Sequence, residues 1–310
     1  MHNHERTLIV LNPAATGAGR VERDVINPLL DNGIPHGTIV TPSPEYKDNV
    51  EAIGGFIRDG DLLVIAAGDG TVAQVTEAIV RSQSKDVKVA ALPLGGFVDL
   101  AQKKAGILDI VGPGADIEEY RRYLLSVHFD NETEPWRYAN AYLGIGRLAL
   151  IASSFGTTES RDRLRGRTGP TKRALQLAQL GIEYFKQDFF MPEHSTNQSG
   201  LVQRAVTDYM FVNNNRAGGI MGFPVDFGQT DRFGVVQRDI SKIARNIPFG
   251  VMALANRAPS DVHYQYDIWL EEAASMPVHN DGEFAQVETN RISVRKDPAA
   301  SYTAVRPRRN

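Results

Sequence analysis

Residues 62–75 read LLVIAAGDGTVAQV, and this stretch decides the fold. An uninterrupted apolar run, Leu62 to Ala67, stops at Gly68-Asp69-Gly70-Thr71, after which Val72, Val75 and Ile79 recur at helical spacing. Continuous apolarity marks a strand covered on both faces, and a strand feeding a helix through a glycine turn is part of a parallel crossover unit. The pattern repeats on either side. Thr7 to Leu11 runs into NPAATGAGR (12–20) and then a helical set of Val21, Val25, Ile26, Leu29 and Leu30, which Pro28 should kink or shorten. Gly37 to Val40 leads through Thr41 into a helix around 46–58, and Val87 to Leu92 ends at Pro93-Leu94-Gly95-Gly96. An α/β fold follows, with an N-terminal doubly wound parallel sheet. Its ligands bind at the carboxyl edge of the strands, where three glycine-rich turns gather and point to one phosphate-rich ligand.

Beyond about residue 130 the alternation stops. Segments 138–151, 205–213, 234–238, 248–253, 263–270 and 291–295 read as strands separated by turn residues, the pattern of an antiparallel β-rich sandwich or barrel. One helical insertion is predicted over 171–187, preceded by the basic stretch RDRLRGRTGPTKR (161–173). Such a run suits a solvated loop or a contact with anionic headgroups. Trp136 and Trp269 are expected in the β core, and RPRRN at 306–310 as a frayed tail. The expected organisation is a nucleotide-binding domain over 1–130, to which a tail of about 288–310 returns, and an acceptor-binding β domain over 131–287, with the cleft between them.

Composition narrows the function. The 310 residues are 42% hydrophobic and 23% charged, which excludes a disordered chain. A formal charge of -3 argues against a dedicated nucleic-acid binder. With no cysteine, disulfides, thiolate metal sites and Cys nucleophiles are excluded. No stretch approaches the roughly 20 apolar residues of a membrane span. The sequence opens without a signal-peptide layout, so a cytoplasmic protein is expected.

Two motifs carry chemistry, and each has a plain structural alternative. In the GDGT turn, glycine lets backbone N–H groups approach a ligand, the following helix start suits phosphate, and Asp69 suits Mg²⁺ bridging phosphate oxygens. The alternative is an Asp-Gly turn with Thr71 as helix cap. Near the C-terminus, Asp281-Gly282-Glu283 sets two carboxylates two residues apart, either of which can serve as the base that takes a hydroxyl proton. The alternative is a hairpin turn, since Asn-Asp-Gly is a strong hairpin signal. The loop 12–20 offers Asn12, Thr16, Gly17 and Arg20 to a ribose or phosphate, but is neither a Walker loop nor a full dinucleotide fingerprint.

Taken in order, Asn12-Pro13, AGDGT (67–71), PLGGFVDLA (93–101), RYANAYLGIG (137–146) and Asp281-Gly282-Glu283 resemble the diacylglycerol kinase catalytic-domain family, which includes bacterial lipid kinases and sphingosine kinases and is related in fold to NAD kinases. The resemblance implies a Mg-ATP-dependent phosphotransferase acting on a hydroxyl acceptor, a lipid such as diacylglycerol by default. Asn12, Thr16, Gly17, Thr41, Gly68, Asp69, Gly70, Thr71, Gln74, Gly95 and Gly96 would surround the nucleotide. Asp69 would act at the metal, and Glu283 or Asp281 as base. It further implies a structural magnesium at Asp231 with the carbonyls of Gly228 and Phe233, although Arg232 stands where the family has Gly. It is compatible with peripheral contact at the inner membrane face and with homodimers. The chain departs from the family pattern at Ala67, Ala73 and Gln74, and at Gly96 and Val98, where Thr and Asn are usual. Those changes keep open a non-lipid acceptor and a nucleotide-binding pseudo-kinase.

Overall fold

The computed structural model describes residues 6–15, 17–41, 43, 45–94, 105–155, 189, 191–200, 202–203, 206–217, 221–222, 225–239 and 261–308. The chain divides into two compact units, Met1–Leu124 with Asp297–Asn310, and Leu125–Lys296. The predicted helix over 171–187, the strand over 248–253 and the basic stretch 161–173 lie outside the described residues.

In the N-terminal unit, β1 (Thr7–Leu11) is followed by a π-helical segment (Glu22–Ile26) and α1 (Asn27–Asp31). The irregularity falls where the sequence places Pro28, whose missing N–H is tolerated only in the first turn of the α-helical part. Then come β2 (Gly37–Val40), α2 (Tyr46–Phe56), β3 (Leu62–Ala66), α3 (Asp69–Ser82), β4 (Lys88–Ala91), α4 (Leu108–Val111) and β5 (Ile117–Phe129). β2, β1, β3 and β4 lie side by side in that order, all parallel. The last strand of the chain adds on in parallel, Thr303 and Ala304 opposite Lys88 and Val89. Every residue of β3 is buried, as its continuous apolarity requires. Ile9, Leu62, Val64, Ala66, Ala90 and Leu92 share one core with Val21, Val25 and Leu29. Because β1 lies between β2 and β3, the chain order reverses at the β1/β3 boundary, the topological switch point where such sheets hold ligands.

The C-terminal unit takes the end of β5 and then β6 (Arg137–Ala139), β7 (Tyr142–Gly146), α5 (Arg147–Phe155), β8 (His194–Thr196), β9 (Val206–Val212), β10 (Arg216–Ala217), β11 (Met221–Gly222), β12 (Phe233–Asp239), β13 (Asp261–His263), β14 (Gln265–Asn280) and β15 (Glu283–Pro307). Pairing is antiparallel, in the order β13-β12-β9-β7-β14-β15. The core gathers Leu125, Leu143, Ile145, Tyr209, Phe211, Phe233, Tyr266, Ile268, Val278 and Ile292. Phe211 meets Phe233 and Tyr266 edge-on at 6.0 and 5.6 Å.

Three expectations need correction. The strand read over 138–151 ends at Gly146 and becomes α5, because Gly146 takes φ +89 and turns the chain. A Cβ there would lie 2.5 Å from the Thr207 carbonyl oxygen. Arg306 and Pro307, expected in a frayed tail, belong to β15, and Arg306 pairs with Glu118 and stacks over Tyr120. Trp269 is 37% exposed, with the Arg291 guanidinium 5.6 Å from its ring, whereas Trp136 packs on the β core. The long strand β5 has no counterpart in the sequence reading. Among the described residues, no helix is long and apolar enough to cross a membrane.

His279, in β14, is buried and stacked on Tyr142 at 5.6 Å, and burial pushes its imidazole down to about 4 from 6.5. The unfolded chain binds that proton near pH 6.5 and the folded one only near 4, so stability is full above 6.5 and falls as pH drops toward 4. The difference, 6.5 − 4, corresponds to about 3 kcal/mol. Denaturant midpoints of the wild type should therefore fall more steeply than those of His279→Phe between pH 7 and pH 4. Parallel curves would show that this histidine does not carry the acid sensitivity.

Candidate functional site

The site in the N-terminal unit is built where β1, β2 and β3 end. Residues 61–67 and 71–79 are buried without exception, and Gly68, Asp69 and Gly70 between them are only half-buried. Between Asp61 and Ile79 this strand–helix element therefore reaches solvent only at its GDG turn. Gly68 is the residue before the first turn of α3, in extended backbone (φ −95, ψ −177), and accepts from the N–H groups of Thr71 and Val72 at 3.1 Å. Thr71 is thus inside the helix rather than its cap, and no side chain caps α3. A Cβ placed on Gly68 would meet nothing within 4 Å. The helix start beside it has first-turn N–H groups that the helix itself cannot satisfy, and Asp69 is its first residue.

The neighbouring turns are drawn onto this one. Asn12 donates through Nδ2 to Thr71 Oγ1 at 3.2 Å, while its Oδ1 accepts from the Ala14 N–H at 2.9 Å. Thr41 is buried beside them, its N–H donating to the Leu11 carbonyl at 2.9 Å. Gly17 approaches the turn after β4 so closely that a Cβ would lie 1.6 Å from the Leu94 carbonyl oxygen, which also accepts from Arg20 at 3.3 Å. Asn12, Gly17, Thr41, Gly68, Asp69, Gly70 and Thr71 thus share one sheet edge. Gln74 lies one turn along α3, buried, with its Oε1 unpartnered. Thr16, Gly95 and Gly96, with Val98 and Asp99 of the altered third motif, lie outside the described residues.

In the C-terminal unit, Asp281 and Gly282 form a two-residue hairpin loop between β14 and β15, with φ +46 and +98. The Asn-Asp-Gly hairpin and the acidic motif are the same object. Positive φ at both loop residues is what a tight hairpin needs, and Asp and Gly tolerate it. The hairpin separates the two acids. Asp281 is buried, and its carboxylate accepts from the N–H groups of Asn140, Ala141 and Tyr142, the last two at 2.9 Å each. Glu283, opposite Asn280, is half-buried, and burial pushes its carboxyl above the ordinary range while the Arg137 guanidinium pulls partly the other way. A carboxylate already committed to three donors is a poor base, and one with raised proton affinity is a better one. Sequence reasoning left this division open because it depends on where residues 140–142 fold.

Asp231 and Arg232 are exposed, and Gly228 sits in a short 3-10 turn (Phe227–Gln229) capped by Asp226. Among the described residues, no group of three or more His, Asp or Glu could hold a metal ion. The carbonyl of Phe227 in this loop already accepts from the Lys296 ammonium at 2.9 Å and from the Thr230 N–H at 3.0 Å. The Lys296 ammonium thus sits on the carbonyl one residue before Gly228, and Asp231, the carboxylate of the expected magnesium site, is exposed.

Residues 6–115 match the family model of the diacylglycerol kinase catalytic domain. No curated protein matches the chain by sequence. Among solved structures, a candidate diacylglycerol kinase from Bacillus anthracis str. Sterne is 16% identical with a TM-score of 0.70, each chain being covered over 98% of its length. A diacylglycerol kinase from the same organism is 14% identical with a TM-score of 0.64, over 98% of this chain and 97% of that one. At such identity the structural likeness shows the fold. The enzyme class that goes with the matched domain is a phosphotransferase with an alcohol acceptor.

Gly17→Ala tests the close packing of the turns. It should destabilise the protein by about 1–3 kcal/mol, because the Leu94 backbone must move to admit a methyl group. Urea unfolding measures this, and an unchanged midpoint would mean that the two turns do not touch.

Proposed function

We propose, from the premise that residues 6–115 carry the diacylglycerol kinase catalytic domain, that this chain transfers the γ-phosphoryl group of ATP to the hydroxyl of a lipid such as diacylglycerol. The observation that carries the reading is the open Gly68–Gly70 turn at the switch point of the parallel sheet. It presents helix N–H groups to a ligand rich in negative charge. Asn12, Gly17 and Thr41 shape the same edge around the nucleotide. Asp69 fits Mg²⁺, which needs only one or two carboxylates besides phosphate and water, and which when bound neutralises charge on the phosphoryl oxygens. Glu283 takes the proton of the acceptor hydroxyl as that oxygen bonds to the γ-phosphorus and the bond to the β–γ bridging oxygen breaks, releasing ADP. Asp281 holds the hairpin that presents Glu283.

The test is label from ATP appearing in an organic-soluble product when diacylglycerol is offered in mixed micelles with Mg²⁺. ATP binding without a labelled lipid would reject the lipid acceptor and favour a soluble hydroxyl compound. Glu283→Gln should lower kcat by about 10²–10⁴-fold with ATP affinity retained. Gly68→Ala should keep the melting temperature, because its Cβ meets nothing, yet weaken ATP binding where the phosphates approach.

The pH profile gives an independent check. A base must be ionised, so kcat/KM should fall as pH drops through the raised pKa of Glu283. Arg137 lowers that pKa, so Arg137→Met should move the acid limb to higher pH. A limb that moves down or stays still would remove Glu283 as the titrating base.

A further inference from the structure

Lys296 is 7% exposed, an unusual burial for a lysine. Its ammonium donates to Asn213 Oδ1 and, at 2.9 Å, to the Phe227 carbonyl. The fully buried Asn213 in turn donates from Nδ2 to the Asn140 carbonyl at 2.8 Å. The peptide group bearing that carbonyl also bears the Ala141 N–H, which donates to Asp281 Oδ1 at 2.9 Å. A buried ammonium and a buried carboxylate are therefore joined through two amides aligned head to tail. In a medium of low dielectric, each charge polarises the amide next to it, and the two charges offset each other along the line.

We propose that Lys296 is a positioning residue for Glu283, acting through Asn213 and the 140–141 peptide to fix the Asp281–Gly282 hairpin; this rests on the reading of Glu283 as the base. The same ammonium holds the loop at Phe227, and so takes the place of the divalent cation expected beside Asp231.

Stability reads the relay without reference to activity. Lys296 and Asp281 are separated by two amides, so independent local effects of Lys296→Met and Asp281→Asn would multiply in the unfolding constant. The relay predicts that the double variant departs from that product by about threefold or more, and a simple product overturns it. Should Lys296→Met not fold, Lys296→Gln takes its place in the cycle. The wild type and Asp231→Asn should unfold at the same midpoint with Mg²⁺ as with EDTA. A Mg²⁺-dependent gain that Asp231→Asn abolishes would overturn the assignment of the ammonium to the cation's place.

In the phosphoryl-transfer assay, Lys296→Met should lower kcat about 10–100-fold with KM for ATP unchanged. A loss of stability with unchanged kcat would reduce Lys296 to a structural role. If no transfer is seen in the wild type, the kinase reading fails while the unfolding cycle still decides the relay.

Discussion

A buried carboxylate accepting three successive backbone N–H groups is the constraint on which the C-terminal unit is built. Asp281 reaches the amides of residues 140–142, and this ties the β14–β15 hairpin to the start of β7. The N–H groups at that start would otherwise be buried without acceptors, at a cost of about 1–3 kcal/mol each. Register follows from the tie. With Asn280 opposite Glu283 and Val278 opposite Ile145, the apolar residues of β14 and β7 enter one core, and a slip by one position would turn them outward. The same constraint fixes the position of Glu283, the residue next in line after the loop and the base in the proposed reaction.

The N-terminal unit solves a different problem with glycine. Its central strand β3 is covered on both faces, which leaves the edge where the strands end as the place for a ligand. Two glycines there do opposite things. Gly17 is small because the Leu94 carbonyl occupies the space a side chain would need, whereas Gly68 is small where nothing occupies it. The first packs the turns together and the second leaves an opening in front of α3. The Asn12–Thr71 hydrogen bond then fixes the first turn against the second.

Much of this was legible in the sequence. The parallel sheet was readable because β1, β3 and β4 are short apolar runs closed by Gly or Asn-Pro, a signal set by local sterics and burial together. β5 was not, since IEEYRRYLLSVHF begins with charged residues and half-exposed positions and becomes continuously buried only from Leu124. The strand read through Ile151 failed at Gly146, whose positive φ is decided by the close approach of Thr207, a residue 61 positions away. Asp281-Gly282-Glu283 was visible both as a turn and as a pair of acids, but nothing local says which acid is spent on the backbone.

The sequence by itself determined the order of strand, glycine turn and helix in the first unit, the change to short strands in the second, and the residues able to meet phosphate or accept a proton. Those properties depend on composition within a dozen residues, through side-chain burial, φ preference and charge. Only the tertiary structure decided that Asp281 anchors while Glu283 remains available, that Gly68 opens and Gly17 packs, and that the Lys296 ammonium reaches the Phe227 carbonyl. Each of these turns on a contact between residues more than 60 positions apart, or on the lack of one, and no local pattern encodes it.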